Sequence, residues 1–383
     1  MADNLTAEEL LALVERVFRP SDEERSLALL VDLPGASPDR PAWRERRQLA
    51  AGWARELGES GAFAAVSLCL YPDVRANNAD LPPGGWLHEG GPLPDQASAL
   101  APEAMVPFDQ IFRAHRLLMA VTELSATAPL KVAARRFGFR AATMPGFSAA
   151  MLPALRLDAL EVARRVERLQ RLLDEAERAE LVFVVRGGGE HRLTLDLRHR
   201  RAHASTGLLR EPGTAGNLPS GEAYIVPYEG ELAGDPSRSE GEVPVQLGEE
   251  VVVYEVLENR ARRARGSGEA ARAEARRLAD EPAYGNLAEL GLGVLGELGV
   301  EPCGELLLDE KLGLHIAFGR SEHFGGQVGP AQFSRPEAVI HLDRVYLPSL
   351  QPRVTVRQLD LLLPGGRMLP LMRDDRYVVR FDE

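Results

Sequence analysis

LALLVD, residues 27–32, is a continuous apolar run closed by an acid. A strand with one wet face alternates apolar and polar side chains. A run without that alternation reads as a strand buried on both faces, as in a parallel sheet covered by helices. The flanking sequence supplies those helices. Upstream, Thr6 precedes Ala7-Glu8-Glu9, an N-cap with a glutamate at the capping-box position, and Leu10, Leu11, Val14 and Phe18 share one helical face. Pro20 ends that helix. Downstream, a helix carrying Trp43 and Trp53 leads to a second buried strand at 64–71. Residues 72–107, rich in Pro, Gly and Asn, read as a long loop. Helical pattern returns at 108–124, a short strand follows at 140–143, and 157–181 reads as a charged helix with Leu and Val at 3.6 spacing. This alternation predicts an α/β layered domain over residues 1–180 with a largely parallel sheet.

From residue 181 the period changes. LVFVV (181–185), HRLTLDL (191–197), EAYIVP (222–227), VPVQL (243–247) and EVVVYEVL (250–257) alternate at period two. Residues 181–383 therefore read as a second, mostly β domain of α+β type. It contains one charged helix at 258–279, broken at Gly266-Ser267-Gly268, and a hairpin around Pro364-Gly365-Gly366. Gly187-Gly188-Gly189 reads as a hairpin turn, and the N-terminal half contains no G-x-G-x-x-G after a strand and no Walker loop.

The chemistry-bearing residues concentrate in this second half. In DEKLGLHIAFG (309–319), Leu314, Ile316 and Phe318 alternate with His315, Ala317 and Gly319, so His315 stands opposite the apolar face of a strand. Ile340 and Leu342 flank His341 in the same way, which places His341 and Asp343 together on one face. With Glu289 and Glu310, the window 285–343 offers five potential metal ligands. Imidazole mixed with carboxylate suits Zn, Co, Mn or Fe better than an all-oxygen Ca or Mg cage.

Four stretches occur in order: GNLPSGEAYIVP (216–227), NLAELGLG (286–293), DEKLGLHIAFG, and VIHLDRV (339–345). Together with RAATMPGFSAAML (140–152), they resemble the thermophilic-type metallo-aminopeptidase family, aminopeptidase T/S and related leucyl aminopeptidases. The resemblance implies a dinuclear centre of Zn, Co or Mn held by Glu222, Glu289, Glu310, His315, His341 and Asp343. It also implies hydrolysis of the N-terminal amide bond of peptides or aminoacyl compounds, with Glu289 or Glu310 shuttling the proton, and a homodimer enclosing the site. The family carries a tyrosine seven residues after the histidine of H-I-A-x-G; here that position is Glu322, with His323 beside it. His323 is therefore expected to take the tyrosine's place as a donor to the oxyanion. A related scaffold gives the alternative, a mononuclear Fe(II) ring-cleaving dioxygenase of the 2,5-dihydroxypyridine type using two histidines and an aspartate. Such proteins place His where this chain has Glu289, and lack the acid of Glu222 and the imidazole of His315, which ranks the aminopeptidase first. A catalytically silent metal-binding relative is the third reading.

Composition narrows the partners. A net charge of -12 argues against nucleic acid and against an anionic membrane surface. No apolar run approaches the roughly 20 residues of a membrane span. The acidic, amphipathic N-terminus is unlike a secretory signal. Cys69 and Cys303, far apart in apolar contexts, read as buried thiols of a reducing compartment, so the cytoplasm is expected. His88, His115, His191, His199 and His203 read as surface or polar-core residues.

Overall fold

The computed structural model describes residues 4–35 and 38–381, so the first three residues of the N-terminal stretch lie outside the described residues. The fold is mixed α/β, with a parallel-rich sheet in one unit and antiparallel sheets in the other. The chain divides into two units. One takes the residues up to 161 together with 207–220; the other takes 162–206 and everything from 221 onward. Residue 180, the boundary expected from the change of period, lies inside a strand of the second unit.

In the first unit the LALLVD run is the middle of β1 (Ser26–Leu33), buried from Leu27 onward. Parallel neighbours flank it, β2 (Ala65–Pro72) on one side and β5 (Leu117–Ala120) on the other. β6 (Arg140–Thr143) and β10 (Ala215–Asn217) continue the parallel run beyond β5. β3 (Gly84–Leu87) and β4 (Val106–Pro107) complete seven strands in the order β10-β6-β5-β1-β2-β3-β4. Both lie in the stretch read as a loop. Gly84 and Gly85 obscured them, because the neighbours pass too close for a side chain: a Cβ at Gly84 would sit 2.4 Å from the Val106 carbonyl oxygen, and one at Gly85 2.4 Å from Cys69 Sγ. The helix Ala7–Phe18 has the expected capping box. The pattern at 108–124 resolves into a helix, Phe108–Ala114, and then β5. At the end of β1 the buried Asp32 accepts hydrogen bonds from the amides of Glu123 and Leu124 and from Trp43 Nε1. Burial, only partly offset by these donors, raises its pKa to about 6.

The second unit contains two antiparallel sheets. Eight strands run in the order β14-β13-β12-β8-β7-β18-β19-β20, comprising β7 (Arg178–Val185), β8 (Gly189–Asp196), β12 (Glu240–Leu247), β13 (Glu250–Leu257), β14 (Arg260–Arg265), β18 (Val354–Leu363), β19 (Arg367–Arg373) and β20 (Arg376–Tyr377). Five others run in the order β17-β16-β15-β11-β9: β9 (His203–Ser205), β11 (Glu222–Ile225), β15 (Leu287–Gly293), β16 (Leu314–Gly319) and β17 (His341–Val345). Two expected helices are shorter than read. The one at 157–181 is Ala159–Glu175, and β7 takes the residues from Arg178 because apolar side chains continue across the junction. The one at 258–279 begins only at Glu269, after the glycine break; Arg260–Arg265 pairs with β13 as an edge strand. A segment of Arg and Ala, RARRAR, satisfies either geometry, and pairing decides. Cys69 is buried, Cys303 is partly exposed, and both are free. Among the described residues no helix is long and apolar enough to cross a membrane.

Candidate metal centre

Register on the five-stranded sheet gathers the acidic and imidazole side chains. Glu222 on β11 lies opposite Gly293, and Tyr224 opposite Gly291. Gly291 in turn faces His315 on β16, and Glu289 faces Ala317. Across the next pair, Ala317 faces Asp343 and Gly319 faces His341 on β17. Directly opposed residues project to the same face of a sheet. Glu222, Glu289, His315, His341 and Asp343 therefore stand on one face, separated by Gly291, Gly293, Ala317 and Gly319. The small residues are a requirement of the site: a Cβ on Gly291 would meet His315 Nε2 at 1.9 Å, so the tip of the imidazole lies over that glycine.

The donor atoms form two groups that share Glu289. In the first, His315 Nε2 is 3.2 Å from Glu289 Oε1 and 3.6 Å from Glu222 Oε2. In the second, His341 Nε2 is 3.3 Å from Glu289 Oε2 and 3.4 Å from Asp343 Oδ1. Within each group the candidate ligand atoms lie within 4.8 Å of one another. His341 Nδ1 is 2.7 Å from the Arg320 carbonyl oxygen. A carbonyl only accepts, so Nδ1 carries a proton and Nε2 is the nitrogen turned to the carboxylates. Glu310 belongs to neither group. It follows the short helix Leu306–Asp309 and accepts from the buried Lys311 ammonium, which also donates to Glu222 Oε1.

The charges on this face do not balance by themselves. Four buried or nearly buried carboxylates, Glu222, Glu289, Glu310 and Asp343, face one ammonium. Burial opposes a charged ring at His315, but hydrogen bonding to Glu289 and the charges of Glu289, Glu222 and Asp343 outweigh it and raise its pKa to about 9. His341 rises well above its ordinary value, against burial, through Asp343 and Glu289. Glu289 is lowered despite burial by its hydrogen bonds to both imidazoles, while Glu310 is raised to about 8 by burial and by Glu222 and Asp343. Among the described residues, the buried Glu222 Oε2 has no hydrogen-bond partner, and neither has His315 Nδ1. Surplus carboxylate, an unsatisfied oxygen and imidazoles that collect protons suit a divalent cation.

His323 lies on a 3-10 turn, Glu322–Phe324, its ring 3.9 Å from that of Phe324 and 5.2 Å edge-on from His341. The residue keeps contact with solvent. Partial burial, then the charges of His341 and Arg320, lower its pKa to about 4, which leaves it neutral near pH 7. Glu322 turns away to Arg320 at 2.8 Å. Phe324 stands between Tyr224, at 4.8 Å, and His341, at 5.3 Å. His203, read as a surface or polar-core residue, stacks on Tyr224 at 5.1 Å and lies opposite it across the β9–β11 pair. Two contributors escaped sequence reasoning altogether. Lys311 was visible only as the neighbour of Glu310. Glu229, in a loop with no motif, accepts from Asn286 Nδ2 (2.7 Å), Ser321 Oγ (2.6 Å) and the Gln327 amide, anchoring the turn that carries His323 and Phe324.

The α/β and β framework that carries this carboxylate-rich face is shared with a solved protein. No family model and no curated protein matches the chain. A solved structure of 2,5-dihydroxypyridine dioxygenase from Pseudomonas putida matches over 98% of this chain and 99% of its own, with a TM-score of 0.62 and 15% identity. The expected hydrolase assignment is corrected by that finding. A solved protein that shares this fold end to end is a dioxygenase, an oxidoreductase, so the fold gives no ground for a metallo-aminopeptidase.

Proposed function

We propose that the chain is a metal-dependent dioxygenase acting on a small, oxygenated aromatic ring, with one divalent ion of the Fe(II) type held by Glu289, His341 and Asp343. The observation that carries this reading is the convergence of those three side chains from β15 and β17 on one face. The end-to-end likeness of fold to a protein named as a dioxygenase supports it. A facial set of two imidazoles and one carboxylate is the usual cradle for such iron. Here Glu289 makes it one imidazole and two carboxylates, with His315 as the nearest further imidazole.

Iron held in this set would supply redox activation of dioxygen next to an oxygenated ring. The chain's own residues do the rest. The Arg320 carbonyl holds the His341 ring with Nε2 toward the acids. Lys311 pairs with both Glu222 and Glu310 on the far side and offsets one of their charges, so less of it is added to that of Glu289 and Asp343. Phe324, pinned against His341, covers one flank with an apolar ring and limits water there. Anaerobic loading with Fe(II), elemental analysis, and oxygen uptake on addition of 2,5-dihydroxypyridine test the reading. One iron per chain with substrate-dependent oxygen uptake is expected, and its loss in Asp343→Ala with unchanged circular dichroism. Bound iron without uptake on any hydroxylated ring refutes the function; two tightly bound ions refute the single-ion centre.

A further inference from the structure

We infer that Tyr224 is the substrate-contacting donor of this centre, its phenol giving a hydrogen bond to a hydroxyl or oxo group of a flat, oxygenated ring placed on the metal-ligand face. The inference rests on the proposed function and adds the residue that recognises the ring's oxygen.

Position comes first. Tyr224 is two residues from Glu222 on β11, so both project from the same face. Its partner on the next strand is Gly291, and the strand beyond brings His315, whose imidazole tip lies over that glycine. No side chain on β15 therefore stands between the Tyr224 ring and His315. Adjacent strands lie about 4.8 Å apart, which puts the phenol beside the Glu222, Glu289 and His315 donors and not behind them. The charges of Glu289, Glu222 and Glu310 all act on it.

The ring is also held. His203 packs on it at 5.1 Å with the planes 24° apart, and Phe324 closes it at 4.8 Å. His203 Nε2 is in turn 3.1 Å from the Phe324 carbonyl, tying the two walls together. In contrast to this fixed ring, the hydroxyl makes no hydrogen bond to any described residue. Other tyrosines of the same unit spend theirs: Tyr228 on the Asp235 carbonyl, Tyr254 and Tyr284 on Glu274, Tyr346 on the Pro244 carbonyl, and Tyr377 on the Gly293 carbonyl. An immobilised phenol with its proton unspent, on the metal-ligand face, is preorganised for an oxygen that arrives with the substrate. His323, the donor expected from sequence, is solvent-exposed and packs on Phe324 and His341.

The test uses zinc-loaded protein, which binds without oxygen chemistry, and 4-nitrocatechol as the probe, followed by its visible spectrum. Tyr224→Phe keeps the ring packing and removes only the hydroxyl. It is expected to weaken the probe about tenfold, the loss of one hydrogen bond, while zinc content and thermal midpoint stay as in the wild type. Equal affinity in Tyr224→Phe overturns the role of Tyr224 and leaves the proposed function standing. Loss of affinity in His323→Phe with none in Tyr224→Phe overturns it in favour of the imidazole. Zinc-loaded wild type that takes up no probe sinks the proposed function, and the donor role with it.

Discussion

Gly291→Ala places one methyl group where the His315 ring now lies. The added Cβ would stand 1.9 Å from Nε2 and 2.1 Å from Cε1. Ordinary contact begins near 3.5 Å, so the ring must retreat by roughly 1.5 Å. The φ of Gly291 lies outside the left-handed region, so alanine brings no backbone strain and the effect is steric alone. His315 is 1% exposed, and its Nε2 is 3.2 Å from Glu289. A shift of that size breaks this contact inside a packed interior. Overpacking costs about 1–3 kcal/mol, and losing a hydrogen bond to a charged partner costs about 1.5–3 kcal/mol. The two overlap, so the expected destabilisation of the metal-free protein is about 3 kcal/mol, read from urea midpoints at constant slope. Calorimetric titration with zinc should show the Glu289–His341–Asp343 group still binding, while any uptake that depends on His315 is lost. An alanine variant with the wild-type midpoint and an unchanged titration would refute the packing of His315 over Gly291.

Lys311→Met leaves Glu222 and Glu310 buried without their shared ammonium and should cost about 3–5 kcal/mol in urea unfolding, part of it recovered by added zinc; a loss below about 1 kcal/mol would contradict the pairing. Metal uptake at pH 7 should release protons into weak buffer, because His341, held protonated by Asp343 and Glu289, must shed a proton to become a ligand. Affinity then falls as the pH drops, and uptake without proton release would refute the charge account. Asp32 has a folded pKa of about 6, above its unfolded value of about 4. Its contribution to stability is thus present at low pH and lost as pH rises through 6, by about 3 kcal/mol. Wild type should gain stability relative to Asp32→Asn between pH 7 and 5, and parallel pH profiles would count against the burial of that carboxylate.

Strands bearing strict alternation were legible: Leu314, Ile316 and Phe318 on one face of β16 and His315 on the other lie as the period requires, and the β1 run is buried throughout. Helix-strand junctions were not. Residues 178–181 and 260–265 are compatible with either state in isolation, and only pairing with β18 and β13 makes them strands. Glu289 could be ranked as a ligand because it interrupts an apolar stretch, whereas Glu310 beside it in motif space turns to Lys311. The direction of a carboxylate after a helical turn depends on the backbone and not on residue spacing. Glu229 and Tyr224 were invisible for a related reason. Their partners, Ser321 and Phe324, are about a hundred residues away and meet them only through tertiary contact. Fold similarity, moreover, leaves the reaction to be read from the site.

The order β17-β16-β15-β11-β9 has a kinetic consequence. β15, β16 and β17 are successive in the chain and form a meander, whereas β11 joins them from beyond the whole of β12, β13 and β14, which belong to another sheet. Local pairings close with less lost chain entropy than distant ones. Glu289, His315, His341 and Asp343 therefore assemble with the meander, and Glu222 arrives later with β11. A refolding chain thus owns its first cation-binding group before the sheet is finished, and an ion captured there would brace the meander while the distant strand docks.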